Sequence, residues 1–325
     1  MSSTTPQDRP AVEARGLVRR FGAVVAVDGL DLSVRPGEIF GLVGPDGAGK
    51  TTTLRLLAGV LPPSDGAAVV VGLDVARDAE RLRRRVGYVA QRFALYGDLT
   101  IDENLRFFAD AYGVGSSERR ARAGELLAMA DLDRFRDRLA DHLSGGMKQK
   151  LALVCGLIHR PDVLFLDEPT AGVDPVSRRD LWRMLYRLQE DGLTVVLSTA
   201  YMDEAERCHR LALLSAGRLV ALGTPDQLRA RLPDAIVEVR LREASPTSLR
   251  LARDAARGLP GVTGAQLFGD RLHVALARPD LIGGLSAALG ATVPVATARA
   301  VAPTIEDVFL GLRDRAASPA GGGEP

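Results

Sequence analysis

The eight residues Gly44-Pro45-Asp46-Gly47-Ala48-Gly49-Lys50-Thr51 fit the pattern G-x-x-x-x-G-K-[ST], whose residue types suit a phosphate chain. Glycines let backbone N–H groups turn inward around phosphate oxygens, and a helix beginning near Gly49 adds its positive dipole. Lys50 supplies a cation to the outer phosphates, and Thr51, followed by Thr52, offers a hydroxyl to Mg²⁺. Further along, Val163-Leu164-Phe165-Leu166-Asp167-Glu168 reads as an apolar strand ending in two carboxylates. At the C-terminal end of a strand both can reach the crevice where ligands collect in parallel sheets. Asp167 is then the Mg²⁺ partner, directly or through water, and Glu168 the group that orients and deprotonates the attacking water. A third constellation, Leu143-Ser144-Gly145-Gly146-Met147-Lys148-Gln149, opens an apolar helix. Ser144, Gly145 and Gly146 offer a hydroxyl and exposed N–H groups there, a second anion site; simple capping by Ser144 is the bland alternative.

The elements that must position these groups are legible in outline. Val-rich stretches at Val12 to Val18, Val24 to Val34 and Glu38 to Val43 read as strands, the last running straight into the phosphate loop. Apolar strands at Arg85 to Ala90, Val163 to Leu166 and Thr194 to Ser198 alternate with helical patterns, which implies a parallel sheet covered on both faces. Ile101 to His142 reads as a mostly helical insertion. After Leu232-Pro233 the order changes to strand (Ala235 to Leu241), helix (Pro246 to Gly258), strands (Val262 to Phe268, Arg271 to Leu276), helix (Asp280 to Leu289) and strand (Thr292 to Ala298). That β-α-β-β-α-β order is ferredoxin-like. The organisation expected is a disordered start at 1–9, a phosphate-loop domain over 10–232 with a helical subdomain at about 98–158, a small accessory domain over 233–313, and a disordered tail at 314–325.

Composition narrows the partners. The 325 residues are 46% hydrophobic and 26% charged, the balance of a folded protein, and 42 basic against 41 acidic residues give a net charge of +1. No global field points to nucleic acid. Cys155 and Cys208 lie far apart outside any metal-spacing pattern, and Cys155 falls in the apolar run Leu151 to Ile158, as a small core residue would. Met1 to Pro10 is polar and lacks the apolar stretch of a secretory signal, so a cytoplasmic location is expected. The longest apolar runs fall far short of the roughly 20 residues that span a bilayer, so any pore belongs to another chain.

The stretch LSGGMKQ, with the phosphate loop and the carboxylate-ended strand, resembles the signature of ABC-type ATPases, and the similarity runs over Val12 to Leu232. The fold implied is α/β: a P-loop NTPase of the ABC type with a helical subdomain, followed by the small α+β ferredoxin-like domain. Phe21 sits where the family stacks an aromatic on adenine, with a core Phe as the competing reading. Gln91 resembles the glutamine that senses Mg²⁺ and the γ-phosphate, and Ala171-Gly172-Val173-Asp174 resembles the segment through which two such subunits touch. The resemblance implies ATP and Mg²⁺ as ligands and a head-to-tail dimer, in which Ser144, Gly145 and Gly146 of one subunit close on ATP held by the other. Gln91 to Thr100 and Pro303 to Leu310 are similar to bacterial ABC-2 type exporters of the multidrug and antibiotic-resistance class, whose ATPase drives a separate permease from the inner face of the membrane. Phe93, Leu95 and Tyr96 either receive a permease helix or pack the helical arm onto the sheet. A soluble ABC-type protein acting on ribosomes or DNA is the rival, disfavoured by a single phosphate loop and no long heptad stretch. Export of lipid, polysaccharide or sodium would use the same machinery.

Two positions depart from the family pattern. Ala200 stands where a histidine normally contacts the γ-phosphate, and losing one such group costs about two to three orders of magnitude in rate. The expected resolutions are a heterodimer with a histidine-bearing ATP-binding chain, which the resemblance favours, a homodimer in which Tyr201 or a neighbour substitutes, or slow turnover with binding as the switch. Asp46 stands where Asn is usual, a carboxylate that a tight turn can accommodate by accepting backbone N–H groups.

Overall fold

The alternation of buried and exposed side chains in the N-terminal third produces the first layer. A computed structural model describes residues 9–91, 95–232 and 235–317, divided into a unit up to Thr224 and a unit from Pro225. In the first, β1 (Val12–Phe21), β2 (Val24–Val34), β4 (Asp65–Val70) and β5 (Leu73–Asp74) form an antiparallel sheet ordered β2-β1-β4-β5. β3 (Ile39–Val43) leaves it and leads into α1 (Lys50–Leu57). Then come α2 (Ala79–Arg83), β6 (Val86–Val89), α3 (Ile101–Ala111), α4 (Ser116–Met129), α5 (Gly145–Leu157), β7 (Val163–Asp167), α6 (Pro175–Glu190), β8 (Thr194–Thr199), α7 (Met202–Ala205), β9 (Arg210–Ser215) and β10 (Arg218–Gly223). The main sheet runs β10-β9-β3-β8-β7-β6, parallel except for the edge strand β10.

Its two faces are both apolar because successive strand residues alternate between them. Val163 and Phe165 face α1 and the antiparallel sheet, whereas Leu164 and Leu166 face α5 and α6. All five residues of β7 are therefore buried, as the unbroken apolar run implies. The helical insertion is closed by local chemistry: Thr100 accepts from the Glu103 N–H (3.2 Å) while the Glu103 carboxylate accepts from the Thr100 N–H (2.8 Å), a reciprocal cap at the start of α3. Cys155, on the buried face of α5, is 2% exposed, matching its reading as a small core residue. Among the described residues no helix is long and apolar enough to cross a membrane.

The second unit comprises α8 (Pro225–Arg229), β11 (Ala235–Leu241), α9 (Pro246–Arg257), β12 (Val262–Phe268), β13 (Arg271–Leu276), α10 (Ile282–Gly290), β14 (Val295–Val301) and α11 (Ile305–Ala317). Its sheet is antiparallel in the order β12-β13-β11-β14, the ferredoxin-like arrangement expected from the element order. The last strand begins at Val295, later than the Thr292 expected, because Pro294 has no N–H to give a ladder. Val237, Val239 and Leu241 pack under α9 and α10, while the alternate residue Glu238 faces the other side. There it is buried at 3% exposure and accepts from Arg271 (2.8 Å), Arg299 (3.0 Å) and Arg240 (3.2 Å). These bonds, that of Arg271 foremost, hold its carboxyl at about 2, well below the usual range. α11 starts with Thr304 accepting from the Asp307 N–H (3.2 Å), and Ile305, Val308 and Phe309 are buried. Asp307 is buried and meets His273 Nδ1 at 3.0 Å.

Candidate functional site

Strand order brings the predicted chemistry together. β8 lies between β3, which delivers the phosphate loop, and β7, which delivers the carboxylates. Ser198 of β8 stands in register with both Leu42 and Asp167, so the end of β8 is wedged between the two motifs. The consequence is a shared hydrogen-bond system at the C-terminal ends of the strands, where open α/β sheets bind ligands. Ser198 Oγ donates to Asp167 Oδ1 (2.7 Å) and accepts the Glu168 N–H (2.9 Å). Thr51 Oγ1 donates to the same Asp167 oxygen (2.9 Å). The Tyr88 hydroxyl reaches Asp167 Oδ2 at 3.4 Å, and burial pushes its own titration up.

Lys50, 4% exposed, extends back along the loop to donate to the Gly44 carbonyl (2.8 Å) and the Pro45 carbonyl (3.1 Å), and pairs with Glu168 Oε1 at 3.1 Å. The second Glu168 oxygen accepts from Gln91 Nε2 at 2.8 Å. Glu168 occupies a left-handed backbone conformation (φ 48°), which costs a side-chain-bearing residue roughly 1–2 kcal/mol. Strain of this kind persists where surrounding contacts over-determine it, here Ser198, Lys50 and Gln91 together. Gly49, the residue before α1, has φ 97° and passes so close to the Ala26 carbonyl that a Cβ would sit 2.4 Å from its oxygen. Only glycine makes that turn, which aims the first N–H groups of α1 into the open.

An open cleft of about 610 Å³ covers this system, lined by Val24, Val25, Ala26, Asp46 to Thr52, Gln91, Glu168 and Ala216. Predicted residues Asp46, Gly47, Ala48, Gly49, Lys50, Thr51, Thr52, Gln91 and Glu168 thus converge, and Gly44, Pro45 and Asp167 back them directly. Phe21 does not line the cleft, though its cross-strand partner Val24 does. It is 45% exposed with the Arg19 guanidinium 4.6 Å from its ring centre, which excludes the core reading. For a divalent cation, Thr51 Oγ1 and Asp167 Oδ1 supply hard oxygen donors side by side, and among the described residues no group of three or more acidic, Cys or His side chains competes for one. That sparse set fits Mg²⁺, which keeps several waters and leans on substrate phosphates.

Ser144, Gly145 and Gly146 stand apart from the cleft lining, at the start of α5. Ser144 caps the helix, accepting from the Met147 N–H at 3.3 Å, and both Ser144 and Gly145 are exposed. Gly146 is buried because α5 meets the first turn of α6 there: a Cβ would lie 2.2 Å from Ser177 Oγ. That first turn is capped by Asp174, which accepts from the Val176 and Ser177 N–H groups at 3.0 Å each, and the Ser177 hydroxyl is the leading cause of its lowered titration. Leu95 packs against the core below the helical arm, and Tyr96 is exposed against Phe107, their ring centres 4.5 Å apart. Phe93 lies outside the described residues. Sequence reasoning missed Ser198 and Tyr88. Both lie at strand ends, Ser198 two residues before the anomalous Ala200, and no local motif marks either.

A family model described as "ABC transporter" matches residues 27–171. The daunorubicin resistance ATP-binding protein DrrA3 of Streptomyces coeruleorubidus is 38% identical over 307 residues, which are 93% of this chain and 95% of that protein. This chain belongs to the ABC transporter ATP-binding family. Within it, the probable multidrug ABC transporter ATP-binding protein YbhF of Escherichia coli K12 is 44% identical over 220 residues, 68% of this chain. Those residues span only 38% of the length of that relative. A solved dimer of an ATP-binding cassette, in a post-hydrolysis state bound to ADP and Pi, superposes with a TM-score of 0.60 at 29% identity, covering 66% of this chain and 98% of the other. The fold is accordingly that of an ABC ATPase.

Proposed function

We propose that this chain is the ATP-binding and ATP-hydrolysing subunit that powers a separate ABC-2 type membrane permease, exporting drugs or other hydrophobic compounds. The observation that carries the reading is the convergence of Lys50, Thr51, Asp167, Glu168 and Gln91 on one cleft, with the Ser144 turn exposed elsewhere on the same unit. The Ser144 turn does not line the cleft of its own chain, and a second ATP-binding subunit completes the site. ATP phosphates held by Gly44 to Thr52 of one subunit are then shared with Ser144, Gly145 and Gly146 of the other.

Within the cleft, Lys50 would exchange its partner Glu168 for the outer phosphates, and Thr51 and Asp167 would hold Mg²⁺, which when bound would supply charge neutralisation to them. Glu168, freed from Lys50, orients a water and takes its proton, with Gln91 fixing the carboxylate. Adenine stacks on the exposed Phe21. Ser198 keeps Asp167 and the Glu168 backbone in place, which accounts for the strained φ. Ala200 follows the last residue of β8, whose carbonyl accepts from the Gly44 N–H at 3.3 Å, and a methyl group there gives nothing to a phosphoryl oxygen. This favours an unequal pair: this chain with a histidine-bearing partner, docked on the permease at the inner face of the membrane. The names of the relatives, multidrug and daunorubicin resistance proteins, support export of hydrophobic compounds.

The test is ATPase activity of this chain alone, of a histidine-bearing ABC ATP-binding chain, and of the two mixed in vesicles containing an ABC-2 type permease. Activity and drug uptake into inverted vesicles should need the mixture. Turnover at tens per second by this chain alone would defeat the unequal-pair reading.

A further inference from the structure

The turn after β8 is tied to the helix that follows Asp174 by one side chain. Arg178, in the first turn of α6, spans from beside the Ser144 turn to the end of β8. Its guanidinium carbon lies 4.6 Å over the Tyr201 ring, its Nη1 is 3.9 Å from Asp203, and its Nε is 3.6 Å from Glu204 Oε1. Glu204 is fully buried. Its other oxygen accepts from Thr199 Oγ1 at 2.9 Å, and that hydroxyl in turn accepts the Tyr201 N–H at 3.0 Å. Arg178 Nε and Glu204 Oε1 are both buried atoms without a hydrogen-bond partner, and they face each other. A movement of less than about 1 Å would join them in a charge-assisted bond.

At one end of this series of contacts, the neighbouring Ser177 packs against Gly146 so closely that an added Cβ would lie 2.2 Å from its Oγ, which ties α5 to the first turn of α6. At the other, the Thr199 carbonyl accepts from the Gly44 N–H of the phosphate loop. We propose that Arg178 is a positioning residue, an incompletely closed latch that couples the phosphate loop to α6 and the Ser144 turn through Thr199, Tyr201 and Glu204. It rests on the nucleotide reading above and deepens it: occupancy of one nucleotide site would be felt at the anion site offered to the other. The held Tyr201 adjoins Ala200, so the latch also fixes the segment after β8 where the usual histidine is missing.

The chain carries a single reporter. Trp182, its only tryptophan, is one helical turn beyond Arg178 on α6 and buried at 1% exposure. Mg-ATP is titrated into the full-length chain with tryptophan emission as one readout and equilibrium dialysis of nucleotide as the other. The wild type should show a saturable emission change that tracks binding. Arg178→Ala should bind Mg-ATP within threefold of wild type with the emission change reduced at least fivefold, and Arg178→Lys, which keeps the charge but not the planar stack, should recover part of it. Tyr201→Leu, at a residue that is 40% exposed, should also reduce it. Full emission change in Arg178→Ala and Tyr201→Leu, or a wild type that binds without any change, would overturn the latch. A wild type that does not bind Mg-ATP at all would instead overturn the nucleotide reading beneath it.

Discussion

Glu168→Gln should tighten nucleotide binding and slow hydrolysis, two effects of opposite sign from one isosteric change. Glu168 Oε1 lies 3.1 Å from Lys50 Nζ, so before nucleotide arrives the carboxylate holds the ammonium that the outer phosphates need. Unit charges about 4 Å apart interact by about 4 kcal/mol at an effective dielectric of 20, which sets the scale of the repulsion between this carboxylate and phosphates placed beside Lys50. The side chain is 14% exposed, and its partial hydration reduces the net gain on neutralisation to about 1–2 kcal/mol. That is a five- to thirtyfold rise in Mg-ATP affinity. The glutamine keeps the shape that meets Gln91 but cannot take a proton from water, which costs about 10² to 10⁴ in rate. Calorimetric titration and single-turnover hydrolysis, on this chain and on its mixture with the histidine-bearing partner, measure the two effects separately. Unchanged or weaker affinity together with undiminished hydrolysis would refute both the competition for Lys50 and the role of Glu168.

Other outcomes follow from the same geometry. Ala200→His should raise hydrolysis by this chain about 10²- to 10³-fold by restoring a donor beside the γ-phosphate, measured as steady-state phosphate release; no gain would mean another group already serves. Gly146→Ala puts a methyl 2.2 Å from Ser177 Oγ, forcing α5 off α6 at a cost of about 1–3 kcal/mol. Chemical denaturation should show that loss, and ATP-dependent association, followed by light scattering, should fail while nucleotide binding persists. In the second unit, Glu238 has its titration depressed to about 2, so its pairing with Arg271, Arg299 and Arg240 stabilises the fold above the usual carboxylate range and is lost as pH falls from about 4.5 towards 2. Thermal melting from pH 6 to pH 2 should fall more steeply for wild type than for Glu238→Gln; parallel curves would show that the cluster contributes nothing.

The motifs announce themselves because each is local. A phosphate loop needs its glycines and Lys50 within eight residues, and a helix-start anion site needs Ser144 beside two glycines, so both can be read without knowing the fold. Strand β7 was legible for a related reason: burial on both faces demands an unbroken apolar run. What could not be read is the order in which strands lie side by side. Insertion of β8 between β3 and β7 is what places Ser198 against Asp167 and Glu168, and nothing in the local sequence distinguishes that serine from any other at a strand end. The left-handed backbone of Glu168 and the Arg178–Glu204 pair are hidden likewise, since each arises from contacts between residues far apart in the chain or from a turn forced by its neighbours. In the second unit Glu238 interrupts a run of apolar residues as a solvated charge would, and only the pairing of β11 with β13 and β14 gathers three arginines around it.

The most direct measurement of the central claim is equilibrium binding of Mg-ATP to the purified chain and to Lys50→Ala. Lys50 is buried, pairs with Glu168 and lies under the cleft, and its truncation leaves that carboxylate unpaired next to the phosphates. One saturable site whose affinity falls by about a hundredfold or more in the variant, about 2.7 kcal/mol, is the result predicted. Equal affinity in the two proteins, or no saturable binding by the wild type, would contradict it.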